Sequence, residues 1–258
     1  MAKKKKKTNK KKKINFEINA LTLHIIAMIC MVLDHAWATI VPGNTWMNFV
    51  GRLAYPIFAF MIVEGYYHTS DFKKYLKRLF IFALISEIPF NIMNSATIFD
   101  PFHQNVLWTF IISLLCIRKM DKIRKKNTIE TNKILYCLGI IVLGFLLGVI
   151  SMADYSGTGV LTVFLFYFFH GQGWKNKLGQ LVGMYIINFI FIQNMDIPIN
   201  IFNHEFFFPT QGFAILSLIP IWLYKGKQGP HNKIIQYACY IFYPLHILIL
   251  SILCLMGI

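Results

Sequence analysis

The chain has 258 residues, of which 56% are hydrophobic and 14% charged, and a formal charge of +15. That balance excludes an ordinary water-soluble globular domain, because too few polar residues exist to cover so apolar a chain. The positive charge raises nucleic acid as a partner through counterion release, and only the placement of the charges can decide the matter.

Residues 3–13 hold nine lysines, so 1–15 reads as a basic, disordered cytoplasmic tail whose like charges repel. The remainder, 16–258, reads as one transmembrane domain. A cleavable signal is set aside, because Asp34 and His35 stand where a cleavage site at Ala36-Trp37-Ala38 needs apolar or neutral residues. Apolar runs long enough to cross a hydrocarbon core of about 30 Å then recur along the chain. Hydropathy and breakers predict nine spans, at about 20–41, 48–67, 75–94, 105–118, 133–151, 158–170, 177–195, 210–224 and 234–257. The fold class is therefore all-α, a polytopic transmembrane helix bundle.

Sorting the 26 lysines and arginines into alternate connections fixes the orientation, since basic residues are retained in cytoplasmic loops. With the amino terminus cytoplasmic, all but Arg52 fall on the cytoplasmic side. The charge is a topology signal, reinforced by anionic lipid, and nucleic acid is dropped as a partner. The predicted location is the cell membrane, with several crossings. Five cysteines lie singly in apolar runs, without metal-ligand spacing, and no metal is expected.

An ionisable group at bilayer depth costs about 2.5–3.5 kcal/mol to insert, so those retained usually face the bundle interior. In the first span Asp34 and His35 are adjacent, hence about 100° apart on a helix, and they cannot serve one small target together. Arg52, at similar depth in the antiparallel second span, is a possible partner for Asp34. Glu87 and Asn91 are four apart on the third span, with Pro89 between them to kink it. His103, Gln104 and Asn105 open the fourth span, and Asp154 leads into the sixth. Toward the cytoplasm, Glu64 and His68 share a face, and Arg78 is placed nearby. Tyr243-Pro244-Leu245-His246 is expected to interrupt the last span. Met, Phe and Leu side chains around these groups read as packing. No glycine-rich phosphate loop, His-Glu-x-x-His or Gly-x-Ser-x-Gly occurs.

Asp34-His35, the run from Gly51 to Phe60 (GRLAYPIFAF) and Val63-Glu64-Gly65 together resemble the TraX family of membrane acetyltransferases. The likeness continues through Arg78-Leu79, the run from Ala83 to Phe90 (ALISEIPF), Gln104-Asn105-Val106, Asp154-Tyr155 and the run from Tyr243 to His246. Ser156 and Thr158 depart from the expected glycine-tyrosine spacing. The resemblance implies acyl transfer from cytoplasmic acetyl-CoA by a membrane-embedded histidine, with a looser kinship to acyltransferase-3 enzymes. It implies as acceptor a protein amino terminus or, more broadly, an amine or hydroxyl such as that of a cell-envelope glycan.

On that reading His35 is the general base, with an acetyl-histidine intermediate as a lesser variant. Asp34 and Arg52 build the site around His35, and Glu87 grips the acceptor. Asn91, Gln104, Asn105, Asp154 and His246 line the cavity. Arg78, Lys74, Lys77 and Glu64 are assigned to CoA. A proton-coupled transporter or flippase using Asp34, His35, Arg52 and Glu87 is the alternative. A non-catalytic assembly partner is a third reading.

Overall fold

The computed structural model describes residues 17–125, 129–192, 196–201 and 204–257. The expected basic tail at 1–15 lies outside the described residues. The helices are α1 (Ala20–Thr39), α2 (Thr45–Gly51), α3 (Ala54–His68), α4 (Phe72–Ser95), α5 (Val106–Arg124), α6 (Glu130–Ile150), α7 (Ser156–Phe168), α8 (Trp174–Tyr185), α9 (Leu218–Leu223) and α10 (Lys233–Leu255). A π-helical turn, Ile186–Phe191, continues α8, and a 3-10 helix, Thr210–Ser217, leads into α9. The stretches Ala20–Thr39, Thr45–His68, Glu130–Ile150 and Lys233–Leu255 are long and apolar enough to cross a membrane.

Helix α3 packs against α1, α5 and α7 and buries Ala54, Tyr55, Pro56, Ile57, Ala59, Phe60, Val63 and Tyr66. Helix α10 closes against α1 and α4. Backbone bridges between connecting segments mark two ends of the bundle. The proximal end joins the start of α1 to the end of α9, through the Ile18–Tyr224 bridge and the Ala20 N–H to Lys227 carbonyl bond of 2.8 Å. The distal end joins the start of α5 to the α6–α7 turn through the Gln104–Ala153 bridge.

Four details depart from the sequence reading. The expected second span is broken at Arg52-Leu53, between α2 and α3. Pro56 explains it, since a proline has no N–H for the carbonyl four residues back and its ring crowds that carbonyl, here Arg52. Pro244, by contrast, does not interrupt α10, which continues helical through it. Helix α5 extends beyond the expected end at 118 to Arg124. The distal connection after the π-helical turn contains a two-stranded antiparallel hairpin, β1 (Asp196–Ile201) and β2 (His204–Pro209), with Asp196 opposite Pro209.

Candidate active site

The adjacency of Asp34 and His35 resolves as helix geometry requires: their side chains leave α1 toward different neighbours. Asp34 Oδ1 accepts from Arg52 Nη2 at 2.5 Å and from Asn48 Nδ2 at 2.9 Å. The close approach depends on Gly51, where a Cβ would stand 2.4 Å from Asp34 Cβ and 2.5 Å from Asp34 Oδ1. Arg52 is gripped from its other side as well. Its Nη1 donates to Gln211 Oε1 at 3.3 Å, and Gln211 Nε2 donates to Asn188 Oδ1 at 3.1 Å.

Asn188 and Gln211 are both buried, on the π-helical turn and the 3-10 helix respectively. Asn188 Nδ2 bonds the Met184 carbonyl at 2.8 Å, so a side chain takes part in the backbone ladder where the helix widens. Sequence reading missed Asn48, Asn188 and Gln211. Their signal was present, since each is an uncharged polar residue within an apolar stretch.

His35 turns instead to α10. Its Nδ1 lies 2.8 Å from His246 Nε2, with the two rings nearly parallel at 3° and centroids 5.0 Å apart. His246 Nδ1 lies 2.8 Å from the carbonyl oxygen of Phe242. The tautomers follow from this network. A carbonyl only accepts, so His246 Nδ1 carries a proton. A neutral His246 then offers a lone pair at Nε2, and the proton between the rings belongs to His35 Nδ1. That leaves His35 Nε2 as the unprotonated nitrogen. Beneath the rings, Cys30, Met31, Ala54, Tyr243 and Ile247 form a small buried cluster that fixes α1 against α10.

Asp154 and Tyr155 are held beside this assembly. The Tyr155 ring stacks on Tyr55 at 3.8 Å, three residues beyond Arg52. Asp154 is pinned through its backbone: its N–H donates to the Gln104 carbonyl at 2.8 Å, and its carbonyl accepts from Thr109 Oγ1 at 2.6 Å. The turn contains positive φ at Met152, Tyr155 and Ser156, 51°, 62° and 49°, which non-glycine residues rarely adopt. Arg52 lies within electrostatic range of Asp34, Asp154, Tyr155 and His35.

Other sequence-assigned residues stand apart from the histidines. Glu87 Oε1 accepts from Asn105 Nδ2 at 2.5 Å, Trp108 Nε1 at 2.5 Å and the Asn105 N–H at 3.2 Å. Asn105 also caps α5 through Leu107 N–H at 3.0 Å. One oxygen of Glu87 is thus committed to docking the start of α5, while Oε2 is buried without a hydrogen-bond partner among the described residues. Asn91 Nδ2 reaches the Ile98 carbonyl at 3.3 Å, and Gln104 Nε2 the Asp100 carbonyl at 3.1 Å. Both brace the distal 95–105 loop. In that loop the Ser95 hydroxyl and the Phe102 N–H hold the Asp100 carboxyl below its ordinary range.

The four residues assigned to CoA do not converge. Arg78 faces Tyr75 and Tyr240, toward α10, and Lys74 is an exposed side chain 3.3 Å from Asp71. Lys77 is also exposed. Glu64 pairs with His170 Nε2 at 2.5 Å and accepts from the Tyr224 hydroxyl at 3.1 Å. His68 lies 3.7 Å away from it, as the i, i+4 spacing predicts. The reason is rotational: Arg78 projects from the face of α4 that packs on α10, not from one facing α3. His170 and Tyr224 were not foreseen.

The TraX protein family model matches residues 20–254, nearly the whole described bundle. The chain belongs to the TraX family. A probable fimbrial assembly protein FimC, serogroup H1, of Dichelobacter nodosus is 28% identical over 256 residues, covering 92% of this chain and 96% of the relative. No solved structure matches. TraX-family membership and the four long apolar stretches together make this a membrane protein.

Proposed function

We propose that this TraX-family protein is a membrane acyltransferase that moves an acetyl group from acetyl-CoA to an amine or hydroxyl of an extracytoplasmic acceptor, in the service of fimbrial assembly. The observation that carries the reading is the directed hydrogen-bond relay from His35 through His246 to the Phe242 carbonyl. It leaves one basic nitrogen, His35 Nε2, in a fixed tautomer, which is what a general base requires. The kinship to a fimbrial assembly protein supports the setting.

In this mechanism the thioester supplies an activated acyl carbon, and the protein supplies proton handling. His35 Nε2 takes the proton from the acceptor N–H or O–H as the acceptor heteroatom bonds to the acyl carbon. As the carbon–sulfur bond breaks, the same proton passes from Nε2 to the departing sulfur, so acetylated acceptor and CoA thiol leave and His35 is restored. Arg52, anchored by Asp34 and Gln211, sets with Asp34 the electrostatic surroundings in which His35 takes and returns the proton. The proposed setting is the inner membrane, with nine crossings, the proximal end cytoplasmic and the distal end outside, following the lysine distribution.

The test is thiol release from acetyl-CoA by purified protein with candidate acceptors, fimbrial subunit amino termini among them. Wild-type protein is expected to turn over and His35→Ala to lose at least a hundredfold. Unchanged turnover in that variant removes His35 from the mechanism. Substrate accumulation in vesicles without any acyl-CoA requirement would instead establish the transporter reading.

A further inference from the structure

A cavity of about 200 Å³, walled in part by Phe60, Ile221 and Trp222 and in part by polar side chains, lies at the proximal end, at the opposite end of α3 from the histidine pair. Its walls include Glu64, His170, Gln172, Gln180, Tyr224 and Lys225. They are held in place by one another. Gln172 Nε2 donates to the Tyr224 carbonyl at 2.8 Å, Gln180 Nε2 to the Phe169 carbonyl at 2.8 Å, and Trp222 Nε1 to Gln180 Oε1 at 2.7 Å. Two left-handed glycines, Gly171 at φ 111° and Gly226 at φ 75°, turn the chain at its mouth. Lys225 stands at that mouth, and Lys177 Nζ sits 5.5 Å over the Trp222 ring.

The chemistry of this lining is divided. Inside are a carboxylate, an imidazole and a phenol, a set that pairs with amide N–H and C=O groups and whose carboxylate would repel a deeply seated phosphate. At the mouth are ammonium groups, which suit a phosphate. The volume falls below the roughly 300–1,000 Å³ of pockets that enclose a whole drug-sized ligand, so it fits a slender arm, not a nucleotide. From Glu64 to Ala54, where α3 meets the cluster beneath His35 and His246, ten residues of helix rise about 15 Å. A ligand with a phosphate at this mouth and its reacting atom at His35 needs an extended tether of about that length.

We infer that the Glu64–His170–Tyr224 cavity receives the phosphopantetheine arm of the acyl-CoA donor, with its amides against Glu64 and Tyr224 and its phosphates on Lys177 and Lys225. The inference rests on the acyl-transfer reading and moves the donor site away from Lys74, Lys77 and Arg78.

CoA, the thiol itself, is titrated into the detergent-purified full chain by calorimetry, so no chemistry is required. Wild type is expected to bind. The Lys177→Ala/Lys225→Ala double variant is expected to bind about tenfold more weakly, with a shallower salt dependence. Lys74→Ala/Lys77→Ala is expected to bind as wild type. Both double variants alter side chains at the proximal surface, and each is checked by its melting profile. Wild-type affinity in the Lys177/Lys225 variant, or a loss confined to the Lys74/Lys77 variant, overturns the cavity assignment and leaves the donor reading standing. Failure of the wild-type protein to bind CoA at all overturns the acyl-transfer reading itself.

Discussion

Replacing His246 separates the two histidines' roles. In His246→Leu the acceptor 2.8 Å from His35 Nδ1 disappears, and a buried N–H is left unpaired. An unsatisfied buried donor costs about 1–3 kcal/mol, and the tautomer of His35 that keeps Nε2 free loses its preference by a similar amount. At about 1.36 kcal/mol per decade this is roughly a 5–150-fold fall in turnover, bounded above by the 10²–10⁴-fold typical of the base itself. His246→Gln restores a carbonyl acceptor and is expected to recover most of the loss. The assay is single-turnover thiol release with protein whose melting profile matches wild type. Folded His246→Leu protein with turnover within twofold of wild type refutes the relay. Retention in His35→Gln combined with abolition in His246→Gln would reverse the assignment and make His246 the base.

Gly51→Ala places a methyl within 2.5 Å of the Asp34 carboxylate. Overpacking of this kind costs about 1–3 kcal/mol, and a lowered thermal midpoint with reduced activity is expected. Glu87→Gln keeps the oxygen that Asn105 and Trp108 bond, so turnover is expected to stay within a few-fold of wild type, whereas Glu87→Ala lowers the thermal midpoint. A large loss in Glu87→Gln at full stability would instead place Glu87 on the acceptor. At the proximal end the Lys227 ammonium holds the Glu17 carboxyl below its usual 4.5. Because the folded value is depressed, the tie is fully present above the ordinary value and is lost as pH falls through the folded one. Glu17→Gln should therefore sit below wild type in thermal midpoint by the same amount at pH 6 and pH 8, and show a flatter acid limb on which the two proteins converge.

The elements that were legible in the sequence are those whose signal is local. The bounds of α1, α4 and α10 follow hydropathy to within about three residues. The divergence of Asp34 and His35 follows from 100° per residue, and the Asp34–Arg52 pair from matched depth on antiparallel helices. What failed needed rotation about a helix axis or a partner far along the chain. Arg78 shares a depth with Glu64 yet faces α10, and hydropathy carries no rotational information once a helix is apolar on several sides. His170 meets Glu64 across 106 residues. The break at Arg52 was readable from Pro56, whereas the π-helical turn depends on where the Asn188 side chain bonds and has no simple sequence sign.

Among the described residues the histidine pair has no carboxylate partner, and its relay ends on the uncharged carbonyl of Phe242. The charge that forms on His35 during transfer is therefore sensitive to every nearby ion. Arg52 is within range, and Asp34 offsets it at 2.5 Å. Asp34→Asn removes the offset while keeping much of the side chain's shape, leaving a partly buried, uncompensated guanidinium within electrostatic range of the cation that develops on His35. Turnover is expected to fall at least tenfold, with stability lowered by less than the roughly 3–5 kcal/mol of breaking a fully buried pair, since these side chains are 15% and 18% exposed. Arg52→Gln in the same chain removes the uncompensated charge. If electrostatic offset is the function of Asp34, the double variant recovers stability and part of the turnover relative to Asp34→Asn, a coupling outside the roughly 0.5 kcal/mol scatter of independent sites. If Asp34 acted directly on the acceptor, adding Arg52→Gln would restore nothing, and additive losses in both thermal midpoint and turnover would refute the offset role.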